Sequence, residues 1–445
     1  MRPSAVEKIV KIGPHVLILG DSAAVLPHVK SKRYHACVTD PPYGISFMQR
    51  KWDDALPDVK VWQALLRTLR PGAHLLSFGH SKKGHHLACR IEEAGFEFRD
   101  TLMWQYAQGM PKGLNVGKAL DGLAVSGRSD SIGLKAANAK RPAGSLRTGS
   151  KVKTNNGKSA YVGATDKHRS DSAINDNPLS DEAKRWDDWH TELKPAYEPV
   201  FLARRPLGKG KAVAANVLAY GTGALNIRET RISIQAEGED PRLGGKGTWQ
   251  AKPGRNGIIG KFKGATVASS TQGRFPCNVL HDGSMAVLAA YAAFGRKSSG
   301  KPSGKRKAEN KVFGAYNNKS DLTGFGDSGS AARFFFCAKA SGKDRNYGLK
   351  PGERNPHVTV KPIALMDWLV KLVTPEGGSV LDPFMGSGTT GVAAVLAGRR
   401  FVGIERDPVS FEVAIRRVRA AYESTLSPQI PKQKAKRHET HAQAA

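Results

Sequence analysis

Asp40-Pro41-Pro42-Tyr43 concentrates more chemistry than any other four residues of this 445-residue chain. It follows the apolar run Ala36-Cys37-Val38-Thr39, a pattern that predicts a buried strand stopping at a stiff corner. Two successive prolines each fix φ and remove a backbone donor. The Asp40 carboxylate, the Pro41 carbonyl and the Tyr43 ring are thereby held at a strand's C-terminal edge, where open α/β sheets place ligands. Carboxylate and carbonyl form an acceptor pair suited to an exocyclic amine, and a planar ring can stack on the base that carries it. The same four residues also make a plain Asp-Pro turn, and the corner alone does not choose between the two.

A second motif lies far downstream, in GGSVLDPFMGSGTTGVAAVLAGRRFVGIERD (residues 377–407). Ser379 to Leu381 predict a short buried strand, residues 390–398 an apolar helix closed by Gly398, and Phe401 to Ile404 the next strand, ending on Glu405. Between strand and helix, Gly386-Ser387-Gly388-Thr389-Thr390-Gly391 fits G-x-G-x-x-G. Glycines there permit a tight turn and close backbone approach, and an acid ending the next strand accepts from ribose hydroxyls. The placement predicts a nucleoside-containing cofactor and by itself leaves NAD open.

Taken together, DPPYG and DPFMGSGTT resemble the DNA amino-methyltransferases, which move a methyl group from S-adenosylmethionine to an exocyclic base nitrogen. Val16-Leu-Ile-Leu-Gly-Asp21 resembles that family's strand and acid at the cofactor's adenine, and Asn355-Pro-His-Val-Thr-Val-Lys-Pro362 its HPTxKP segment. With the catalytic motif first, a variable middle and the cofactor loop last, the order is that of the permuted β class. The resemblance implies an α/β, Rossmann-like methyltransferase fold with a mostly parallel sheet, circularly permuted motif order and an inserted basic target-recognition region. It implies a catalytic corner of Asp40, Pro41, Pro42 and Tyr43, the ring stacking on a base flipped out of double-stranded DNA. It implies S-adenosylmethionine held by Asp21, His357, Lys361, Asp382, Phe384, Gly386, Ser387, Gly388, Thr389, Thr390 and Glu405. Within that set Asp21 meets the adenine, Glu405 the ribose, and His357 and Lys361 the methionine end. No metal is implied. DPPY goes mainly with N6-adenine and SPPY with N4-cytosine, so Asp40 favours adenine, with N4-cytosine as the alternative. RNA or protein-glutamine methylation and an inactive DNA-binding relative are further alternatives, against which stand the Asp at the first position and the intact motifs at both ends. A homodimer and a separate restriction nuclease both remain compatible with the class.

Composition agrees. Lys and Arg number 69 against 39 acids, a net charge of +30, which favours a polyanionic partner. No apolar run reaches membrane-spanning length and no signal-peptide core opens the chain, so a cytoplasmic protein is expected, and the resemblance implies a bacterial or phage origin. Cys37, Cys89, Cys277 and Cys337 are scattered without CxxC spacing, as reduced thiols. Pro276-Cys277 matches the nucleophile dipeptide of cytosine-5 enzymes, but without the rest of that pattern it counts as coincidence.

The elements that must position these residues alternate as in a parallel α/β sheet: strands 15–19, 36–39, 73–78 and 96–104 with helices 59–69 and 84–94. Pro71-Gly72 and Gly95 punctuate the helix ends. His80, His85 and His86 share their spacing with no carboxylate or Cys and belong on a loop and a solvated helix start. The expected order is a catalytic half (1–106), a flexible polar insertion (107–185), a return to the sheet (186–206), a basic target-recognition region (207–331), a cofactor half (332–424) and a disordered basic tail (425–445). Trp186 and Trp189 are expected in core packing or a lid, with base stacking as the alternative, and EPVFLA as the last strand of the catalytic half. From Arg204 to Ala331 there are 21 Lys/Arg against 8 Asp/Glu, suited to phosphate contacts. Phe334 to Lys339 predict a buried strand, 362–373 a helix that Pro362 opens, and 411–424 the last helix.

Overall fold

The computed structural model describes residues 6–46, 51–107, 113–129, 179–208, 212–232, 273–298, 328–338 and 342–426, with short pieces between. Most of 107–185, much of the basic stretch 207–331 and the tail beyond Leu426 lie outside the described residues. Two compact units are present, residues 1–104 with 199–445, and residues 105–198.

The first unit is built on a ten-stranded sheet: β1 (Lys8–Ile12), β2 (His15–Leu19), β3 (Tyr34–Thr39), β4 (Leu69–Phe78), β5 (Glu97–Gln105), β6 (Tyr197–Arg204), β7 (Val279–His281), β8 (Phe336–Cys337), β9 (Ser379–Asp382) and β10 (Arg400–Glu405). Their spatial order is β1-β2-β10-β9-β3-β4-β6-β5-β7-β8. The central run from β2 through β10, β9 and β3 to β4 is parallel, while β1 on β2 and β6 on β4 are antiparallel. The fold is therefore α/β with a mixed, mostly parallel sheet. Every residue of β3 and β9 is buried, as parallel strands covered on both faces require.

Helices α1 (Ser22–Val25), α2 (Val59–Thr68), α3 (Gly84–Glu93), α4 (Val116–Ser126), α5 (Val213–Tyr220), α6 (Ile363–Val373), α7 (Thr389–Leu396) and α8 (Pro408–Leu426) include those that cover the sheet. Asp58 caps α2 by accepting from the Lys60 N–H at 2.8 Å, and Val61, Trp62, Leu65 and Thr68 form its buried stripe. Val61, Trp62 and Leu65 join Cys37, Leu75, Leu381 and Ile404 in one apolar core. α7 is buried over seven of its eight residues, and α6 buries Leu365, Met366, Trp368, Leu369 and Val370.

Three expectations change. Pro71-Gly72 lies inside β4 rather than ending a helix, because the helix has already stopped at Thr68 and the chain turns directly into strand. Phe334 to Lys339 do not form one buried strand: Ala331–Phe334 is a 3-10 turn, only Phe336–Cys337 pairs, and Cys337 is exposed at the sheet's last strand. Trp186 and Trp189 are not core residues. They pack edge to face at 5.0 Å, 42% and 60% exposed.

In the second unit Asp121 is fully buried on α4 and accepts from the Leu179 and Ser180 N–H groups at 3.0 to 3.1 Å. Gly117 is needed there because a Cβ would stand 2.7 Å from the Ala183 carbonyl.

Candidate active site

Four adjacent parallel strands each deliver an acid to the same edge of the sheet. The register pairs Leu19 with Glu405, Asp382 with Gly403, and Leu381 with Cys37. Asp21 two residues beyond β2, Glu405 ending β10, Asp382 ending β9 and Asp40 following β3 therefore stand side by side. One cavity of about 1020 Å³ is lined by all four, together with Lys361 and Phe384. The two motifs, more than 300 residues apart in the chain, thus share one site.

At the first motif the Asp40 carboxylate is held from two sides. The Tyr43 hydroxyl donates to Oδ1 at 2.5 Å and the Lys361 ammonium to Oδ2 at 2.6 Å. Lys361 is buried and also lies over the Tyr43 ring at 5.7 Å and the Phe78 ring at 4.8 Å. The chain after the corner folds around Asp53, whose buried carboxylate accepts from the N–H groups of Tyr43 at 2.5 Å, Gly44 at 3.1 Å and Ile45 at 3.3 Å. The Lys83 ammonium donates to the Gly44 carbonyl.

At the second motif the glycine loop is braced from behind. Glu405 accepts from the Gly386 N–H at 2.7 Å and the Asp407 N–H at 2.8 Å, and burial holds its carboxyl above the usual range. Asp382 accepts from the Thr39 hydroxyl at 2.6 Å and the Phe384 N–H at 3.1 Å, yet burial pushes it up to about 7. Gly386 and Gly388 have φ of +54° and +81°. A Cβ on Gly386 would stand 2.9 Å from His357 Nε2, and one on Gly388 2.9 Å from the Ala414 Cβ, so both glycines answer to the protein's own packing. His357 touches the Thr359 and Ser410 hydroxyls at 3.3 and 3.4 Å, and burial lowers its pKa, favouring the neutral imidazole.

Asp21 caps α1, accepting from the Ala23 N–H at 2.8 Å, and its other oxygen lies 3.9 Å from Arg406. Phe384 is half-buried, 6.2 Å from the Trp62 ring. Ser387, Thr389 and Thr390 are buried and line the same cavity. Pro42 lines it too, whereas Tyr43 meets it through its hydroxyl on Asp40. Lys361 is the residue whose partner differs most from expectation, since its ammonium sits on Asp40.

Asp53 and Arg417 escape the motifs, and Asn355 stands inside one with no role assigned to it. Asp53 is one of two adjacent acids in a polar stretch, with no pattern to mark it. Asn355 opens the NPHVTVKP segment and donates to Ser387 Oγ at 3.0 Å. Arg417 is fully buried on α8, where it donates to the Ser387 carbonyl at 2.7 Å and to Thr389 Oγ1 at 3.0 Å; burial lowers its pKa to about 10. Its signal was present in the sequence, as a cation inside the stripe Val413, Ala414, Val418, Ala421. Cys277 lies before β7, near the Val279 and Phe334 carbonyls, and is not among the residues lining the cavity.

A family model for N6/N4-type DNA methylases, described as DNA methylase, matches residues 34–416. The type II methyltransferase M2.DpnII of Streptococcus pneumoniae is 44% identical over 68 residues, 15% of this chain and 25% of that protein. M.BglI of Bacillus subtilis is 42% identical over 70 residues, 16% and 20% of the two chains. The matched segments thus span a quarter or less of these relatives. Among solved structures, the M1.HpyAVI-SAM complex aligns over 90% of this chain and 98% of that one at 14% identity and a TM-score of 0.36. PvuII DNA methyltransferase (cytosine-N4-specific) aligns over 92% and 90% at 11% identity and a TM-score of 0.38. Likeness at that level carries neither fold nor specificity across.

Proposed function

The chain belongs to the N6/N4 DNA methylase family, and from that premise we propose that it transfers a methyl group from S-adenosylmethionine to N6 of an adenine flipped out of double-stranded DNA. The observation that carries the proposal is the single cavity lined by both Asp40 and the Gly386–Glu405 loop.

The residues present fit the cofactor by the chemistry of their donors and acceptors. Asp21 and Glu405 offer carboxylate oxygens to a nucleoside's amine and hydroxyls, and Phe384 offers a half-buried ring. When bound, S-adenosylmethionine supplies a sulfonium methyl, an electrophile that needs no covalent enzyme intermediate.

The chain's own task is placement. The adenine amine is a poor nucleophile, since its lone pair is delocalised into the ring. Hydrogen bonds from its two N–H groups to Asp40 and the Pro41 carbonyl favour a pyramidal nitrogen with its lone pair available. Lys361 and Tyr43 each use one lone pair of the Asp40 carboxylate, one on either oxygen, which leaves acceptor capacity for the amine. Asp40 serves as an acceptor that orients and polarises the amine. The extruded base stacks on Tyr43. The basic region 207–331 contacts phosphates and carries target recognition.

The test is expression in a host lacking its own DNA methyltransferases, followed by modification-sensitive long-read sequencing of that genome. N6-methyladenine in a defined motif is the expected result. N4-methylcytosine would reassign the base, and no mark from a folded, cofactor-binding protein would refute DNA methylation.

A further inference from the structure

We infer that Asn355 and Arg417 are positioning residues that hold the Ser387 hydroxyl as an obligate donor toward the cofactor's carboxylate; this rests on the cofactor reading above. The hydrogen bonds around Ser387 leave its hydroxyl one orientation. A serine hydroxyl has two lone pairs and one proton. Ser387 Oγ accepts from Asn355 Nδ2 at 3.0 Å and from Arg417 Nη1 at 3.1 Å. The Asn355 amide is itself fixed, because its Oδ1 accepts from the His357 N–H at 3.0 Å and its second amide hydrogen goes to the Arg345 carbonyl at 3.0 Å. A guanidinium has no acceptor to offer. Arg417 Nη1 shares its two hydrogens among the Ser387 carbonyl, Thr389 Oγ1 and Ser387 Oγ, and both groups placed on Ser387 Oγ can only donate to it. Among the described residues none accepts the hydroxyl proton, and Ser387, 2% exposed, lines the cavity.

The surroundings say what that proton meets. Arg417 is fully buried, and its charge stands directly behind the hydroxyl. Ser387 also precedes the N-terminus of α7, whose cap Gly388 contributes no side-chain acceptor, so the helix dipole adds positive potential. Carboxylates contributed by Asp21 and Glu405 line another part of the cavity and suit hydroxyls and an amine. A donor backed by a cation and a helix N-terminus suits an anion. The carboxylate is the only anionic group of S-adenosylmethionine.

The test is calorimetric titration of the full chain with S-adenosylmethionine and with its decarboxylated form, which keeps the sulfonium and the ammonium. Ser387→Ala is expected to weaken S-adenosylmethionine about tenfold or more and to leave the decarboxylated form within about twofold. Asn355→Asp keeps the contact with the His357 N–H but turns a donor into an acceptor, which draws the intact Ser387 proton away from the cavity. It should reproduce the same selective loss. Should Asn355→Asp melt below the assay temperature, Asn355→Ala frees one lone pair on Ser387 and carries the same test with a smaller selective loss. Equal losses for both ligands in Ser387→Ala would overturn the inference, since they mark a structural role. A selective loss in Ser387→Ala with none in either Asn355 variant would overturn the positioning role. A wild-type chain that binds neither ligand would overturn the cofactor reading itself, and the inference with it.

Discussion

The glycine loop and the DPPY corner occupy the same sheet edge but are held by different means. The loop from Asp382 to Thr390 is fixed by buried groups at its back: Glu405 on the Gly386 N–H, Arg417 on Ser387 and Thr389, and His357 beneath Gly386. The corner at Asp40 is half-buried, and its ties are Lys361, from the segment before α6, and Asp53, ten residues beyond Tyr43 beneath the following turn. A loop braced from behind presents a preformed surface, suited to a ligand of constant shape. A corner whose carboxylate is shared with a lysine presents an acceptor that must accommodate a base arriving from a duplex. The contrast predicts that changes at the corner act on turnover, and changes behind the loop on cofactor affinity and stability.

The largest effect is expected from Asp40→Asn. The amide keeps one acceptor oxygen but replaces the other with a donor facing the amine and the Lys361 ammonium. Methyl transfer should fall by about a hundredfold or more, while S-adenosylmethionine affinity stays within about threefold. A single-turnover rate near wild type would end the assignment of Asp40.

Lys361 decides where the two regions divide. If its work is on Asp40, as the 2.6 Å contact supports, Lys361→Met lowers kcat about tenfold and leaves cofactor affinity nearly unchanged. If it serves the methionine end of the cofactor, as the motif alone suggests, affinity falls and kcat at saturation is kept. Lys361→Arg, which can still donate to Asp40, should recover part of kcat in the first case.

This residue also marks how far the sequence could be followed. The strands ending at Thr39, Asp382 and Glu405 and the helices of the cofactor half are local patterns, legible in apolar runs and glycine spacing, whereas the sharing of one site by both motifs was implied only by the family resemblance. The partner of Lys361 is not local, because 321 positions separate it from Asp40 and only the strand order brings them together. The glycines were legible as special but not in their reason, since His357 and Ala414 crowd them from remote segments. Asp53 has no pattern to mark it. Arg417 is the reverse case, a cation interrupting a buried helical stripe, which is a readable anomaly whose purpose only the packing supplies.

Asp53→Ala separates the corner's scaffold from its chemistry. Removing the carboxylate leaves three loop N–H groups without their acceptor. Stability should drop by about 1–3 kcal/mol in denaturant unfolding, with turnover falling only severalfold in protein that remains folded. A loss of turnover as deep as that of Asp40→Asn, with stability unchanged, would move Asp53 into the chemistry.

The smallest effect on turnover is expected from Asp382→Asn, and its value lies in pH. Asp382 is fully buried behind the loop, and burial raises it from the ordinary 3.8 to about 7 in the folded chain. Between those two values the folded state keeps a proton that the unfolded state has released. Stability at this position therefore falls as pH rises from about 4 to about 7, and is level outside that window. Asparagine cannot titrate, so the difference in unfolding free energy between wild type and Asp382→Asn should shift steadily across the window in favour of the variant. Groups remote from Asp382 titrate equally in both chains and cancel in the difference, leaving Asp382 and the neighbours its charge acts on, Asp40 and Cys37. Denaturant midpoints taken at half-unit intervals from pH 4 to pH 8 measure it. A difference that stays flat would mean that Thr39 and the Phe384 N–H hold the carboxylate ionised despite its burial, and that the loop's back is as polar in effect as the corner's front.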